Sequence, residues 1–188
     1  MNEEKANQIN LATYQNNLGW KNKLGRLCWN VFSFFFFRPF ILNVFNPYRI
    51  FILRMFGAQV SYKSVIHASV KIWAPWNLEM HPYATLAPDV DCYNPGKITV
   101  MSNSTVSQKA YLCAASHDIS LSHHPLITSP ITIEDQAWVA ADAFIGPGVT
   151  IGQGSVVGAR TVVFKNVAPW TVVRGNPAEF VKERVLKN

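Results

Sequence analysis

Six aliphatic positions near the end of the chain keep strict time: Ile133, Val139, Ile145, Ile151, Val157 and Val163 follow one another at intervals of six residues. Ile and Val make up about a sixth of the sequence, so such a run arises by chance on the order of once in 10^5 frames. Four places after each stands a second landmark: Ala137, Ala143, Val149, Ser155, Thr161 and Val167, all small or β-branched. Gly146, Gly152 and Gly158 follow three of the aliphatics directly, where a backbone turning a corner gains from having no Cβ. A six-residue period smears apolar side chains around a helix instead of building one stripe, which excludes an amphipathic helix here. A parallel β-helix of hexapeptide repeats is the predicted architecture.

The same beat runs earlier through Val60, Ile66, Ile72, Leu78, Ala84 and Val90, slips by four residues, and resumes at Val100, Val106 and Leu112. It fails between Asp118 and Pro130, a stretch holding His123, His124 and Pro125. A break of this kind marks a loop leaving the coil, and repeat proteins carry function on such insertions. Residues 119–130 are therefore predicted as an excursion loop from a solenoid spanning 59–174.

Ahead of the repeat, 1–58 forms a segment of another character: a polar start from Met1 to Asn17, the aromatic stretch VFSFFFFRPF from Val31 to Phe40, and RIFILRMFGA up to Ala58. No basic region followed by a small-residue cleavage site is present, so a secretory signal is not expected. Arg38 and Pro39 cut the apolar run well short of the roughly 20 residues needed to cross a bilayer. Two readings stay open and are compatible. Trp29 and Phe34 to Phe37, flanked by Arg26, Arg38, Arg49 and Arg54, suit a peripheral contact with an anionic membrane surface. The same amphipathic segment also suits packing on the open end of the solenoid, which must hide its first coil from edge pairing. Beyond the repeat, 175–188 is expected to form a short tail helix.

Composition narrows the function classes. With 49% hydrophobic and 15% charged residues the chain is not disordered. Cys28, Cys92 and Cys113 lack metal-ligand spacing and form no complete disulfide framework, which fits a reducing cytoplasm. A net charge of +6 raises the question of nucleic acid. The cations are spread along the chain and no helix-turn-helix, zinc-finger or RNA-binding signature accompanies them. A phosphorylated small molecule is the better acidic partner, and Lys165, Arg174, Lys182 and Arg184 gather near the C-terminal end where they could meet phosphates.

The hexapeptide run, ASHD at 115–118 and PWTVVRGNPAEFVKE at 169–183 resemble the left-handed β-helix acyltransferases that use acetyl-coenzyme A. NPYRIFILRMFGA at 46–58, YN at 93–94, SQKAYLC at 107–113 and PITIEDQAWVAADAFIGPGVTIGQGSVVGARTVV at 130–163 are similar to the polysaccharide O-acetyltransferase branch, of the colanic acid biosynthesis type. The resemblance implies direct acetyl transfer to a sugar hydroxyl in the biosynthesis of a bacterial surface polysaccharide, in a trimer with active sites between neighbouring subunits. His117 matches the catalytic histidine. Imidazole titrates near pH 6.5 in unperturbed surroundings and can take a proton from the attacking hydroxyl. Asn94 matches an acceptor-contacting asparagine, and Trp138 a tryptophan beside the reacting end of coenzyme A, where a flat indole also suits a sugar face. Ala141 and Ala159 match positions whose backbones meet the cofactor, and Lys165 a lysine near its nucleotide phosphate. Lys182 joins that cofactor set through the basic cluster. Asp118 is placed with the substrate-binding residues, and Asp118, Asp89 or Asp91 are alternatives for orienting His117. His123 and His124 are secondary acceptor candidates on a loop expected to cover a neighbour's coenzyme site.

Two departures stand out. Met101 sits where the repeat commonly has Gly, and no aspartate follows Asn94 as in galactoside and maltose enzymes, which argues against simple free sugars as acceptors. Other readings of the same scaffold are an acetyltransferase for an antibiotic or an amino-sugar nucleotide, a metal-dependent hydratase of the γ-carbonic-anhydrase type, and a non-catalytic scaffold. The hydratase needs three convergent imidazoles. His81, His117 and His123 are the candidates, but His81 lies three places after Leu78 and His117 five after Leu112, at different points of the repeat. No metal is expected.

Overall fold

The computed structural model describes residues 9–14 and 18–187. Of the polar start, 1–8 and 15–17 lie outside the described residues, as does Asn188. From Gln59 onward the chain winds through three parallel sheets in turn, giving a β-solenoid with a triangular section. The first face stacks Gln59–Val60, Leu78–Met80, Ile98–Val100, Ile131–Ile133 and Thr150–Ile151; the second runs from Val65–Ile66 through Thr105–Val106 and Trp138–Val139 to Thr171–Arg174. The third stacks Lys71–Ile72, Asp91–Tyr93, Tyr111–Cys113, Phe144–Ile145 and Val162–Val163. Period-2 alternation in strands this short leaves one or two side chains per rung pointing inward. Ile133, Val139, Ile145, Ile151, Val157 and Val163 are among those residues, and all are buried. Burial of each contributes about 1.5–3 kcal/mol, an upper figure for a chain that is partly collapsed before folding.

The earlier beat is carried differently from what the sequence predicts. Val60, Ile66 and Ile72 pair with Met80, Leu86 and Cys92, so the first coils span 20 residues, against 18 between Ile133 and Ile151. The frame moves by two residues at a lengthened corner, where Pro75–Asn77 makes a single 3-10 turn. Ala84 and Val90 are buried all the same. They fill the second landmark, four places after Met80 and Leu86. Val100 and Ile133 are direct partners although 33 residues apart, and the surplus leaves the coil as the excursion.

Gly152 owes its identity to close approach: a Cβ there would lie 2.6 Å from the Pro169 nitrogen of the next coil. The reason is contact between coils and not a left-handed turn, which Gly154 supplies at φ +66° with the Trp170 ring packed over it.

Two helices cover the start of the solenoid. Helix α1 (Trp20–Phe36) seats Trp29 in the core, and its indole N–H donates to the Ile72 carbonyl at 2.7 Å. Gly25 of α1 lies against the Trp76 ring, and the Arg26 guanidinium sits 4.1 Å above the Trp73 ring centre. Helix α2 (Asn46–Met55) opens with Pro47, whose fixed φ suits a first turn, and buries Ile50, Ile52 and Leu53. Its Arg49 is buried without a carboxylate, and the guanidinium donates to the carbonyls of Ile66 at 2.9 Å, Leu42 at 3.0 Å and Phe40. These contacts close the first coil.

The tail is not helical. Glu179–Glu183 forms a strand antiparallel to Thr171–Arg174, and Arg184 donates to the carbonyls of Gln136 and Gly154. Gly175, at φ +102°, reverses the chain, and the returning strand covers an edge of the second sheet that would otherwise be open to further pairing.

Candidate active site

The excursion is a β-hairpin. Ala115–His117 pairs antiparallel with Leu126–Thr128, His117 opposite Leu126, so only 118–125 is a loop and the expected 119–130 includes a strand arm. Both arms are rooted at one corner, where Ala114 N–H donates to the Tyr93 carbonyl and Ser129 N–H to the Ala114 carbonyl. His117 ends the outgoing arm and is exposed. Its Nδ1 lies 2.7 Å from the backbone carbonyl of His124, which adopts a left-handed φ of +43°. A carbonyl oxygen only accepts, so Nδ1 carries the proton, and in the neutral ring Nε2 presents its lone pair outward. The Tyr14 ring stands 6.2 Å from the imidazole, and Asn10 N–H donates to the Ser122 carbonyl at 2.9 Å, bringing the N-terminal strap across the hairpin.

None of the three aspartates orients His117. Asp118 accepts from Ser120 N–H and Oγ, and these bonds hold its carboxyl below the usual aspartate range. Asp91 faces Lys71 at 3.8 Å, and the Asp89 backbone N–H donates to Ser69 Oγ. The positioning group is a backbone carbonyl of a left-handed residue, for which sequence carries no signal.

Asn94 is also placed differently. Its side chain is fully buried: Oδ1 accepts from Ala74 N–H at 2.9 Å and Nδ2 donates to the Ala74 carbonyl at 2.7 Å. Asn77 in turn donates to the Asn94 and Pro95 carbonyls. The pair stitches together the lengthened corners of adjacent coils, and burial keeps the Asn94 side chain away from any acceptor at the surface.

Of the expected cofactor residues, Trp138 and Lys182 lie on the second sheet, Ala141 and Ala159 on the corner after it, and Lys165 beyond the third face. Trp138 is half exposed, and its Nε1–H donates to Ser107 Oγ at 2.9 Å. It lines a cleft of about 440 Å³ with Thr105, Ser107, Gln136 and Arg184. Ala141 and Ala159 occupy equivalent corner positions in consecutive coils, joined by Arg160 N–H donating to the Ala141 carbonyl at 2.9 Å. Ala159 opens onto a larger cleft of about 630 Å³ lined by Arg174, Asn176, Glu179 and Phe180. The cation facing that cleft is Arg174, whereas Lys165 and Lys182 stand exposed outside its lining. Among the described residues no hydrogen bond or ring contact joins His117 to any of this group. Ser107, Tyr14 and the His124 carbonyl escaped the sequence reading. Ser107 alone had a signal, standing in the SQKAYLC segment.

His81 bonds Glu79 at 2.8 Å, and Lys97 meets the other oxygen of that carboxylate at 2.6 Å. Among the described residues no three His, Cys, Asp or Glu side chains converge as metal ligands.

The bacterial transferase hexapeptide (six repeats) family matches residues 130–165. WcaF of Escherichia coli (strain K12), provisionally named a colanic acid biosynthesis acetyltransferase, is 48% identical over 143 residues, 76% of this chain and 79% of WcaF. The galactoside O-acetyltransferase of the same organism is 32% identical over 129 residues, 65% of this chain and 56% of that enzyme. The fold is shared with a hexapeptide-repeat acetyltransferase of Vibrio cholerae O1 biovar eltor solved with acetyl coenzyme A: TM-score 0.78 at 23% identity, covering 90% of this chain and 92% of that one. The chain belongs to the hexapeptide-repeat acetyltransferase family.

Proposed function

We propose that this enzyme transfers the acetyl group of acetyl-coenzyme A to a hydroxyl of a surface-polysaccharide precursor, with His117 as general base. The observation that carries the reading is the Nδ1 contact with the His124 carbonyl, which leaves Nε2 free on an exposed, rooted hairpin. The acceptor oxygen attacks the thioester carbonyl carbon as Nε2 takes its proton, and a tetrahedral oxyanion forms. Collapse breaks the C–S bond, and the imidazolium returns the proton to the departing thiolate, leaving an acetyl ester and coenzyme A. No acyl-enzyme is required.

The pantetheine arm is proposed to follow the Trp138, Ala141 and Ala159 ladder toward the larger cleft, with Arg174, Lys165 and Lys182 near its phosphates. His117 has no contact with that ladder in one chain, which supports a homotrimer with the hairpin of one copy reaching the groove of the next. Asp118 remains a candidate acceptor contact beside the base. A lipid-linked or polymeric saccharide is the acceptor class we favour, one that peripheral attachment of the enzyme to the cytoplasmic side of a membrane would serve.

Thiol release from acetyl-coenzyme A, measured across lipid-linked oligosaccharides, nucleotide sugars and antibiotics, tests this reading. Acceptor-dependent release with the first class supports it. Release with an antibiotic alone, or with none while coenzyme A still binds, contradicts it.

A further inference from the structure

We infer that α1 carries a second apolar face, turned away from the protein, that inserts into the interface of an anionic lipid bilayer. Its inner face is accounted for by Trp29 and Ser33, buried against the first coil. On the other side Leu24, Leu27, Cys28, Val31, Phe34 and Phe35 are all exposed, Phe34 at 63% and Phe35 at 60%. Their spacing follows the helical repeat, so at about 100° per residue they fall within an arc of roughly 120°. From Leu24 to Phe35 the stripe runs about 17 Å along the helix. Leu27, Cys28, Val31 and Phe35 also border a wholly apolar groove of about 360 Å³. A single exposed leucine is unremarkable, but a continuous stripe on a helix already packed on its opposite face is a docking surface.

Charge identifies the occupant. Counted by segment, the cations are less dispersed than their spacing along the chain suggests. Residues 18–58 hold Lys21, Lys23, Arg26, Arg38, Arg49 and Arg54 and not one Asp or Glu, so this segment alone matches the whole chain's net +6. Lys21 and Lys23 flank the stripe and are exposed. Arg49 is buried, Arg26 lies on Trp73 and Arg54 bonds the Val60 carbonyl, so Lys21 and Lys23 are the cations that border the stripe, and with no acid in the segment they fit anionic headgroups above an acyl layer. No helix of the described residues is long and apolar enough to cross a membrane, so the helix lies along the surface. The inference deepens the proposed membrane-side acceptor, and rests on it only for its purpose.

The test is co-sedimentation of the full chain with phosphatidylglycerol-containing or pure phosphatidylcholine vesicles, with light scattering for mass and thiol release on a soluble acceptor run in parallel. The wild type should partition at least about tenfold more strongly onto the anionic vesicles. Phe34→Asn with Phe35→Asn should lower that partition at least about tenfold, and so should Lys21→Glu with Lys23→Glu, both at unchanged mass and thiol release. Equal partition of wild type and variants overturns the inference. So does a fall in particle mass on substituting the stripe, which assigns it to contact between copies. Failure of thiol release in every form would instead count against the transferase reading and leave the vesicle result standing.

Discussion

Replacing Asn94 by Ala removes two buried hydrogen bonds at once, those to the Ala74 N–H and to the Ala74 carbonyl. Ala74 is itself fully buried, so its N–H gains no water in exchange, while its carbonyl keeps a bond from the Asn77 N–H at 3.0 Å. A buried donor left without a partner costs about 1–3 kcal/mol and the second hydrogen bond lost about 1 kcal/mol, which puts the destabilisation at about 3 kcal/mol. For a chain of this size 1 kcal/mol moves the midpoint by about 2–4 °C, so the Tm should fall by about 6–12 °C. Thermal unfolding should be followed at fixed protein concentration, because self-association adds to apparent stability. The folded Asn94→Ala protein should keep its KM for the acceptor within about twofold, as an interior clamp has no part in binding. A Tm within about 2 °C of wild type combined with a raised acceptor KM would refute this reasoning and return Asn94 to the acceptor site.

His117→Ala should lower kcat about 10²–10⁴-fold with little change in Tm, since the ring is exposed, and unaltered turnover in thiol release would remove it as the base. Ala141→Phe should raise the KM for acetyl-coenzyme A at least about tenfold by occupying the corner groove, with an unchanged far-UV spectrum; an unmoved KM would place the cofactor elsewhere. The Glu79 carboxyl is held below its usual 4.5 by hydrogen bonds from Lys97 and His81. A depressed folded value means this stability is present above pH 4.5 and is lost as pH falls through the folded value. Glu79→Gln should therefore lose up to about 1 kcal/mol at neutral pH and titrate more weakly than wild type in acid, read from urea midpoints across pH.

The second half of the solenoid was legible because after Ile131–Ile133 its rungs through Val163 are two-residue strands with one inward position each, and Val139 through Val163 occupy it without exception. In the first half Leu78 and Met80 are both buried ends of one strand, so either satisfies an apolar beat and the two-residue shift leaves no mark. The tail misled for a related reason. EFVKE pairs as a strand although all five residues are exposed, so it shows no inward alternation, and Gly175 with the Asn-Pro step was the available turn signal. His117 was readable from its segment and from the break in the repeat. Its positioning was not, because a backbone carbonyl set by the left-handed His124 has no side chain to announce it. Asn94 shows the limit from the other direction: an asparagine in a turn and one sealed in a corner read alike until the coil above it is in place.

The central claim is that one copy supplies the base and another the coenzyme groove, and subunit mixing addresses it directly. His117→Ala and Ala141→Phe chains should be co-expressed in equal amounts and assayed for thiol release at acetyl-coenzyme A well below the wild-type KM, where neither alone exceeds about a tenth of wild-type activity. Random trimers would be mixed in about three cases of four, each mixed trimer holding one intact site of three, so about a quarter of wild-type activity should return. Activity no higher than that of either variant alone would mean that base and groove belong to the same chain, and the shared site would be wrong.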